Sequence, residues 1–382
     1  MSRERYVEVE VSSGKAWVLS SKISGLQRID SIFFDCDGVL VDVRESYDAT
    51  TIETVKFVAK KLMGLDVPNS LPFRRVVLEL KRSGGFNNDW DVSYALLLGI
   101  HTYLSGEEVE TVYANTSPAA RERILLEGIQ PRFSESSWQR VGEAIMNLAR
   151  RADSTGLVSL EKTLTKEGYG ELLNEAKRLL GHPVEASIVA RVFDEIFYGP
   201  QLFRQKFKVE PKFYTRRGFV ERETQAISLE TLSRLVARFG RERIGIISGR
   251  DYDSAKKTLG ELLDNFEFRN LLFLMVDSSH GSGEGKSYEP LLNKPNPEIL
   301  LKAVETLGRF QCCLYIGDSA EDLIMVQRAN KILPRFAFAG ACDLVNFKDE
   351  VCSYFVKMGA EVVFPSVNDL PELLDIIGGL KQ

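Results

Sequence analysis

The amino-acid sequence predicts an α/β protein: a Rossmann-like, doubly wound parallel sheet that is interrupted by an inserted helical domain and preceded by a short β extension. Three observations support this fold class. Residues 31–34 form a short apolar run that is typical of a buried strand. Residues 90–205 have a helical pattern throughout. Beyond residue 225, short apolar runs alternate with helical segments, which is the pattern of a doubly wound parallel sheet.

The first predicted element is a β-hairpin, in which YVEVEV and KAWVLSS flank a Ser-Ser-Gly turn. The strand at residues 31–34 follows it. Apolar residues at helical spacing then predict a helix that ends at Gly64. These residues are Ile52, Val55, Val58, Ala59 and Leu62.

After residue 225, Ser228 is placed to cap a helix that ends at Gly240. Apolar runs predict further strands at residues 244–247, 271–276, 312–317 and 336–341, and a last helix runs from about 371 to 377.

The strand at 31–34 has no neighbouring strand to pair with, so we expect it to join the C-terminal strands. The predicted domains are therefore a hairpin extension (residues 1–27), a core (28–48 with 225–382) and a helical cap (49–224). Ligands of open α/β sheets bind at the carboxyl ends of the strands. A helical domain inserted at that edge is expected to cover the site.

Composition excludes several classes of partner. The 382 residues carry a net charge of −5, which gives no basic surface for a nucleic acid. No run of about 18 uncharged apolar residues predicts a membrane span, and the N-terminus has no secretory signal pattern. None of the five cysteines forms a C-x-x-C pair. We expect a cytoplasmic protein whose oligomeric state the sequence does not indicate.

Polar groups follow the predicted strands at the edge where ligands bind. Asp35 and Asp37 follow the first strand, and Ser248 follows the second. The segment NKPNP places Lys294 in a later loop, and the run at 312–317 leads into Asp318 and, further on, Asp322. If the strands are parallel, these groups meet at one edge of the sheet.

Several of these residues also have a purely structural interpretation. Ser248 is suited to cap the helix near Asp251, Asp322 completes a capping box with Ser319, and Lys294 has the sequence context of a solvated surface lysine. The pair Asp35 and Asp37 is harder to explain structurally. Crowding two carboxylates costs several kcal/mol unless a cation or hydrogen-bond donors compensate them.

A divalent cation is the simplest compensation, and an all-oxygen set with room for water and phosphate suits Mg²⁺. The remaining groups then fit phosphoryl transfer: a carboxylate nucleophile, a second carboxyl that moves a proton, and Ser and Lys to hold phosphoryl oxygens.

The motifs D-x-D-G-V at 35–39, Ser248, K-P-N-P at 294–297 and G-D-x-x-x-D at 317–322 resemble, in order, the four motifs of the haloacid dehalogenase (HAD) superfamily. The resemblance covers residues 28–48 and 225–375. An insertion between the first two motifs resembles subfamily I, which has a helical C1 cap, although this insertion is larger than usual.

The resemblance implies that Asp35 is the nucleophile, forms an aspartyl-phosphate and binds Mg²⁺. Asp37 would protonate the leaving oxygen and then activate water, while its backbone carbonyl binds the metal. Dehalogenases of the superfamily lack an aspartate at this position because a halide needs no proton, so Asp37 favours phosphate chemistry.

The remaining motif residues have roles implied in the same way. Ser248 and Gly249 would bind the phosphoryl group, and Lys294 would neutralise the nucleophile and the phosphoryl charge. Asp318 would complete the metal shell, and Asp322 would support it as the fourth residue of the metal site.

Two segments of the predicted cap are candidates for substrate recognition. In RSGGFNNDWD (residues 82–91), polar residues and aromatic anchors are typical of a specificity loop that reaches the site. The residues of this candidate loop are Phe86, Asn87, Asn88, Asp89 and Trp90. An irregular connection between helices is an equally good interpretation. Arg217, in YTRRGFVERE, would meet an anionic substrate or belong to an exposed charged linker.

The sequence therefore predicts a Mg²⁺-dependent phosphomonoesterase that acts on a small phosphorylated metabolite. Two alternatives remain open: a phosphomutase of the same architecture, and a binding module that lost turnover. The metabolite itself is not indicated.

Overall fold

A computed structural model describes residues 6–86, 88–105, 133–273 and 294–380. The chain divides into two compact units. The core unit comprises Met1–Ser46, Gln205–Lys208 and Val220–Gln382, and the helical unit comprises Tyr47–Arg204 and Val209–Phe219. The domain boundaries predicted from the sequence lie after residues 48 and 224, and residues 1–27 were predicted to be separate from the core.

The core unit is built on an eight-stranded sheet. Its strands are β1 (Tyr6–Val11), β2 (Gly14–Leu19), β3 (Ile29–Phe34), β6 (Ile244–Ser248), β7 (Leu271–Phe273), β8 (Cys312–Gly317), β9 (Phe336–Ala341) and β10 (Val362–Phe364). Their order in the sheet is β1-β2-β10-β9-β8-β3-β6-β7. A separate two-stranded sheet pairs β4 (Val41–Asp42) with β5 (Thr224–Gln225).

The strand predicted at 31–34 is β3, and it lies between β8 and β6, with parallel pairing on both sides. The pairs β6-β7, β8-β9 and β9-β10 are also parallel. The predicted doubly wound fold is thereby confirmed. The N-terminal hairpin forms as predicted and extends this sheet, because β2 pairs antiparallel with β10.

Helices cover both faces of the sheet, since every residue of β8 and β9 is buried. The described helices of the core unit are α1 (Ile23–Leu26), α9 (Leu229–Phe239), α10 (Tyr252–Leu259), α11 (Pro297–Glu305), α12 (Ala320–Asn330), α13 (Lys348–Met358) and α14 (Leu370–Gly379). The predicted cap Ser228 and end Gly240 of α9 are both observed.

The helical unit contains α2 (Tyr47–Val58), α3 (Phe73–Arg82), α4 (Asp89–Leu104), α5 (Glu135–Ala149), α6 (Leu157–Lys166), α7 (Gly170–Leu180) and most of α8 (Ile188–Phe207). A π-helical turn prolongs α2 to Met63, and Gly64 ends it as predicted. These helices pack around one hydrophobic core of their own, which includes the fully buried Tyr94, Leu97 and Ile196. In the described part of the chain, no helix is both long and apolar enough to cross a membrane.

Candidate active site

The register of the sheet brings three of the predicted site residues to one edge. Phe34, the last residue of β3, aligns with Ile316 of β8 and Ile246 of β6. The next residue, Asp35, donates its backbone N–H to the carbonyl of Ile316 at 2.8 Å. Asp35, Asp318 and Ser248 therefore stand at the carboxyl ends of three adjacent parallel strands.

Three carboxylates converge at this edge. One oxygen each from Asp35, Asp318 and Asp322 lies within 4.8 Å of the others. Asp35 and Asp322 are buried, whereas Asp318 is half-buried. Such a set of hard oxygen donors fits a divalent cation.

Lys294 compensates two of these charges. Its Nζ atom lies 2.8 Å from Oδ1 of Asp35 and 2.8 Å from Oδ1 of Asp322. Only 8% of the lysine side chain is exposed, so the interpretation of Lys294 as a solvated surface lysine is wrong. Although burial lowers the pKa of Lys294, the carboxylates of Asp322 and Asp35 more than offset this, and the pKa lies well above its ordinary value.

Asp322 is held from several sides. Ser319 and Asp322 form the predicted capping box at the start of α12, in which Ser319 Oγ donates to Asp322 Oδ2 at 2.6 Å. The Tyr315 hydroxyl donates to Oδ1 of Asp322 at 3.1 Å. Because both oxygens of Asp322 are already hydrogen-bonded, its geometry favours support of the site over direct metal ligation. The sequence does not single out Tyr315, because it lies within the apolar run of β8 and no motif contains it.

Two glycines allow the loops to approach one another. A Cβ on Gly38, which has a φ of +71°, would stand 1.9 Å from Oδ2 of Asp318. A Cβ on Gly317 would stand 2.6 Å from the Asp322 carboxylate. The glycines of D-x-D-G-V and G-D-x-x-x-D are therefore needed for the carboxylates to converge.

The second aspartate of the first motif has a different partner. Asp37 Oδ1 accepts a hydrogen bond from Nη1 of Arg250 at 2.8 Å, and 27% of the Asp37 side chain is exposed. The Arg250 guanidinium also pairs with Glu223, and both of these side chains are 0% exposed. No sequence pattern distinguishes Arg250 or Glu223 from the many other charged residues of the chain.

Ser248 is buried at the end of β6, and its Oγ accepts the backbone N–H of Arg250 at 3.2 Å. The residue that caps the following helix, α10, is Asp251, whose side chain accepts the N–H of Ser254. The interpretation of Ser248 as a helix cap is therefore wrong. Gly249 is exposed, with no atom within 4 Å of the position of a Cβ.

Burial of the Asp35 carboxyl raises its pKa to about 7. The ammonium group of Lys294 lowers this pKa, while the negative charges of Asp322 and Asp37 raise it further. Ionised Asp35 is therefore a group that a bound cation would stabilise.

The residues proposed for substrate recognition have structural partners in the helical unit. Phe86 is fully buried in its hydrophobic core. Asn88 caps α4 by accepting the N–H of Trp90, and Asp89 pairs with Lys81 at 3.0 Å. The Trp90 indole donates to Asp194 at 3.0 Å.

These partners agree with the interpretation of residues 82–91 as a connection between helices. Asn87 lies outside the described residues. Arg217 is exposed, and its carbonyl accepts the hydroxyl of Tyr214 at 3.3 Å. Contact of any of these residues with a substrate stays a prediction.

Comparison with known proteins yields one family. A family model described as haloacid dehalogenase-like hydrolase matches residues 29–330. No curated protein matches the chain significantly.

Among solved structures, an X-ray structure of a Northeast Structural Genomics Consortium target is similar with a TM-score of 0.54 and 18% identity, over 91% of this chain and 98% of the other. This likeness supports the α/β fold. A hydrolase from Pseudomonas syringae has a TM-score of 0.39 and 14% identity, over 91% and 99% of the two chains. A HAD family hydrolase from Deinococcus radiodurans R1, with bound phosphate and sodium, has a TM-score of 0.35 and 15% identity, over 92% and 97%.

Proposed function

The chain belongs to the haloacid dehalogenase-like hydrolases, and from this premise we propose that it is a Mg²⁺-dependent phosphomonoesterase. Its substrate is a small phosphorylated metabolite, and the reaction passes through an aspartyl-phosphate on Asp35. The observation that carries the proposal is the pairing of Asp35 with Lys294 at 2.8 Å, at a sheet edge shared with Asp318 and Asp322.

Mg²⁺, when bound by Asp35, Asp318 and the backbone carbonyl of Asp37, supplies positive charge that offsets the phosphoryl oxygens. The protein's own residues supply the rest. In the first step an oxygen of the Asp35 carboxylate attacks phosphorus. The bond from phosphorus to the ester oxygen breaks, and Asp37 gives that oxygen a proton.

In the second step Asp37, now ionised, takes a proton from water, whose oxygen attacks phosphorus. The bond between phosphorus and Asp35 breaks, which releases inorganic phosphate and restores the carboxylate. Lys294 neutralises Asp35 and the phosphoryl charge in both steps. Ser248 and Gly249 hold phosphoryl oxygens from the end of β6.

Asp37 is what favours a phosphate ester over a halide as the substrate. An alkoxide is a poor leaving group without a proton, and general acid catalysis contributes about 10²–10⁴-fold to such reactions. A carboxyl two residues after the nucleophile, oriented by Arg250, supplies that proton donor.

The test is a screen of the purified protein with phosphorylated sugars, amino alcohols and hydroxy acids, with and without Mg²⁺. We expect stoichiometric release of inorganic phosphate from at least one of them, and loss of that release in EDTA. An isomeric phosphosugar without free phosphate would indicate the phosphomutase instead. Absence of any Mg²⁺-dependent turnover, including with an aryl phosphate, would support a binding module and contradict the proposal.

A further inference from the structure

The core unit contains a buried arginine that the proposed reaction does not use directly. Every nitrogen of the Arg250 guanidinium is hydrogen-bonded within the protein. Nε donates to Ser254 Oγ at 3.0 Å, Nη1 donates to Asp37 Oδ1 at 2.8 Å, and Nη2 donates to Glu223 and to the carbonyl of Ser254 at 3.3 Å. Since the side chain is 0% exposed, the guanidinium does not bind a substrate phosphate directly.

The position of Arg250 is fixed independently of Asp37. Ser254 belongs to α10, and its hydroxyl also donates to the Asp251 carboxylate at 2.6 Å. Glu223 accepts a second hydrogen bond from Thr258, also on α10, at 2.8 Å. Two partners of the guanidinium, Ser254 and Glu223, are thus held by α10, and neither depends on Asp37.

The hydrogen bond to Asp37 therefore joins a donor of fixed position, Arg250, to a carboxylate that is more exposed. Arg250 bonds Oδ1 of Asp37 and so fixes the orientation of the carboxyl group, with Oδ2 as the oxygen that it does not hold. The buried Glu223 carboxylate neutralises the guanidinium, which lets the arginine stay in this position whether or not a substrate is present.

We propose that Arg250, held by Glu223, is a positioning residue that orients the Asp37 carboxyl for proton transfer to the leaving group. This inference rests on the proposed phosphomonoesterase reaction. It goes beyond that reaction by assigning the orientation of its proton donor to two buried residues, Arg250 and Glu223, neither of which belongs to a recognised motif.

The test is the dependence of the rate on the leaving group in Arg250→Lys. An aryl phosphate such as 4-nitrophenyl phosphate leaves without help from an acid, whereas an alkyl phosphate such as glycerol phosphate needs the proton. We expect kcat/KM, which reports the steps up to the first phosphoryl transfer, to fall about 10- to 100-fold more for the alkyl ester than for the aryl ester. Equal losses for the two esters would indicate a merely structural role and overturn the proposal.

A double-mutant cycle with Asp37→Asn tests whether Arg250 acts through Asp37. If it does, Arg250→Lys lowers the alkyl ester rate of Asp37→Asn by less than about twofold, because the group that it orients is already gone. A double variant whose fold-loss in rate equals the product of the two single-variant losses would contradict the proposal.

A matched control is available in the helical unit. Arg191 pairs with Glu195 at 2.7 Å, and that glutamate is also 0% exposed. Arg191→Lys makes the same change at a buried carboxylate that lies in the helical unit, outside the triad. We expect it to leave the ratio of alkyl to aryl rates unchanged. Thermal unfolding of each variant is measured in parallel, to confirm that it is folded.

Should Arg250→Lys fail to fold, Glu223→Gln decides the question. It keeps Arg250 and the shape of its partner but weakens the anchor, and we expect the same selective loss for the alkyl ester, about 5-fold or more. A Glu223→Gln enzyme with an unchanged ratio would overturn the inference. Failure of the underlying function is recognised separately, since the wild-type protein would then show no Mg²⁺-dependent hydrolysis of either ester.

Discussion

The ammonium group of Lys294 lies 2.8 Å from a carboxylate oxygen of Asp35. A single buried cation thus neutralises the predicted nucleophile, and the same atom reaches Asp322 at 2.8 Å. Without a metal ion, this lysine is the main compensation that the described residues offer to the carboxylates at the edge of the sheet.

Replacement of Lys294 by Met is expected to abolish most activity and to destabilise the protein. Removing one partner of a buried ion pair typically costs about 3–5 kcal/mol, because the remaining charge stays buried and unpaired. We expect a loss of that order in the free energy of unfolding, measured by urea denaturation in EDTA at pH 8, together with a fall in kcat of about 100-fold or more. Lys302→Met on α11, an exposed position, is the control and is expected to change neither quantity. A Lys294→Met protein of wild-type stability and activity would contradict this role.

Asp35→Asn is expected to stabilise the metal-free protein in a pH-dependent manner. The pKa of Asp35 is raised from 3.8 to about 7 in the folded state, so between these values the unfolded chain loses a proton that the folded chain keeps. Wild-type stability therefore falls as the pH rises from about 4 to 7, and the neutral asparagine removes this loss. In EDTA, we expect the stability difference between variant and wild type to grow by on the order of 2–4 kcal/mol from pH 4 to pH 8. A difference that does not change with pH would exclude the raised pKa.

Tyr315→Phe tests the support of Asp322. The tyrosine hydroxyl contacts Oδ1 of Asp322 at 3.1 Å and the carbonyl of Ile247 at 3.2 Å, and the side chain is fully buried. Loss of one buried hydrogen-bonding hydroxyl is expected to cost about 1 kcal/mol of unfolding free energy and to lower kcat several-fold, as Asp322 loosens. The half-buried Tyr354 on α13 provides a matched Tyr→Phe control, for which we expect unchanged kcat. Equal kcat values for the two variants would show that Tyr315 does not support the site.

Gly38→Ala is expected to disrupt the metal site more than the fold. The new methyl group would collide with the Asp318 carboxylate, and the φ of +71° is unfavourable for alanine. Asp318 must therefore move, and we expect a loss of Mg²⁺ affinity of at least 10-fold by titration calorimetry. Gly25→Ala, at a position with no atom within 4 Å of the added carbon, is the matched control. Wild-type Mg²⁺ affinity in Gly38→Ala would refute the predicted proximity of these loops.

Much of the fold could be predicted because short apolar runs mark most of the strands. The run of β3 has no other strand close to it in the sequence. We therefore predicted that it pairs with the C-terminal strands, and the structure confirms that pairing. By contrast, β10 was missed because Val362–Phe364 is only three residues long. The predicted strand at 271–276 is described only as far as Phe273, and the rest lies outside the described residues.

The candidate site was predictable to the extent that its residues follow strands. Asp35, Ser248 and Asp318 are placed by the register of the sheet, which is a direct consequence of the strand pattern. The pairing of Arg250 with Glu223 could not be predicted, since these residues are 27 positions apart and charged residues make up 27% of the chain. The cap of α10 could not be predicted either, because Ser248 and Asp251 are both residue types that cap helices. The structure shows that Asp251 is the cap.

The most direct test of the central claim is to trap the phosphorylated enzyme. The protein with Mg²⁺ is mixed with an aryl phosphate, quenched in acid within milliseconds, digested and analysed by peptide mass spectrometry. We expect one phosphoryl group on the peptide that contains Asp35, attached to that residue, and no such label in Asp35→Asn, whereas Asp264→Asn, at an exposed position of the core unit, labels like the wild type. Steady turnover of the ester by Asp35→Asn, or a phosphoryl group on another residue, would contradict the claim that Asp35 attacks phosphorus.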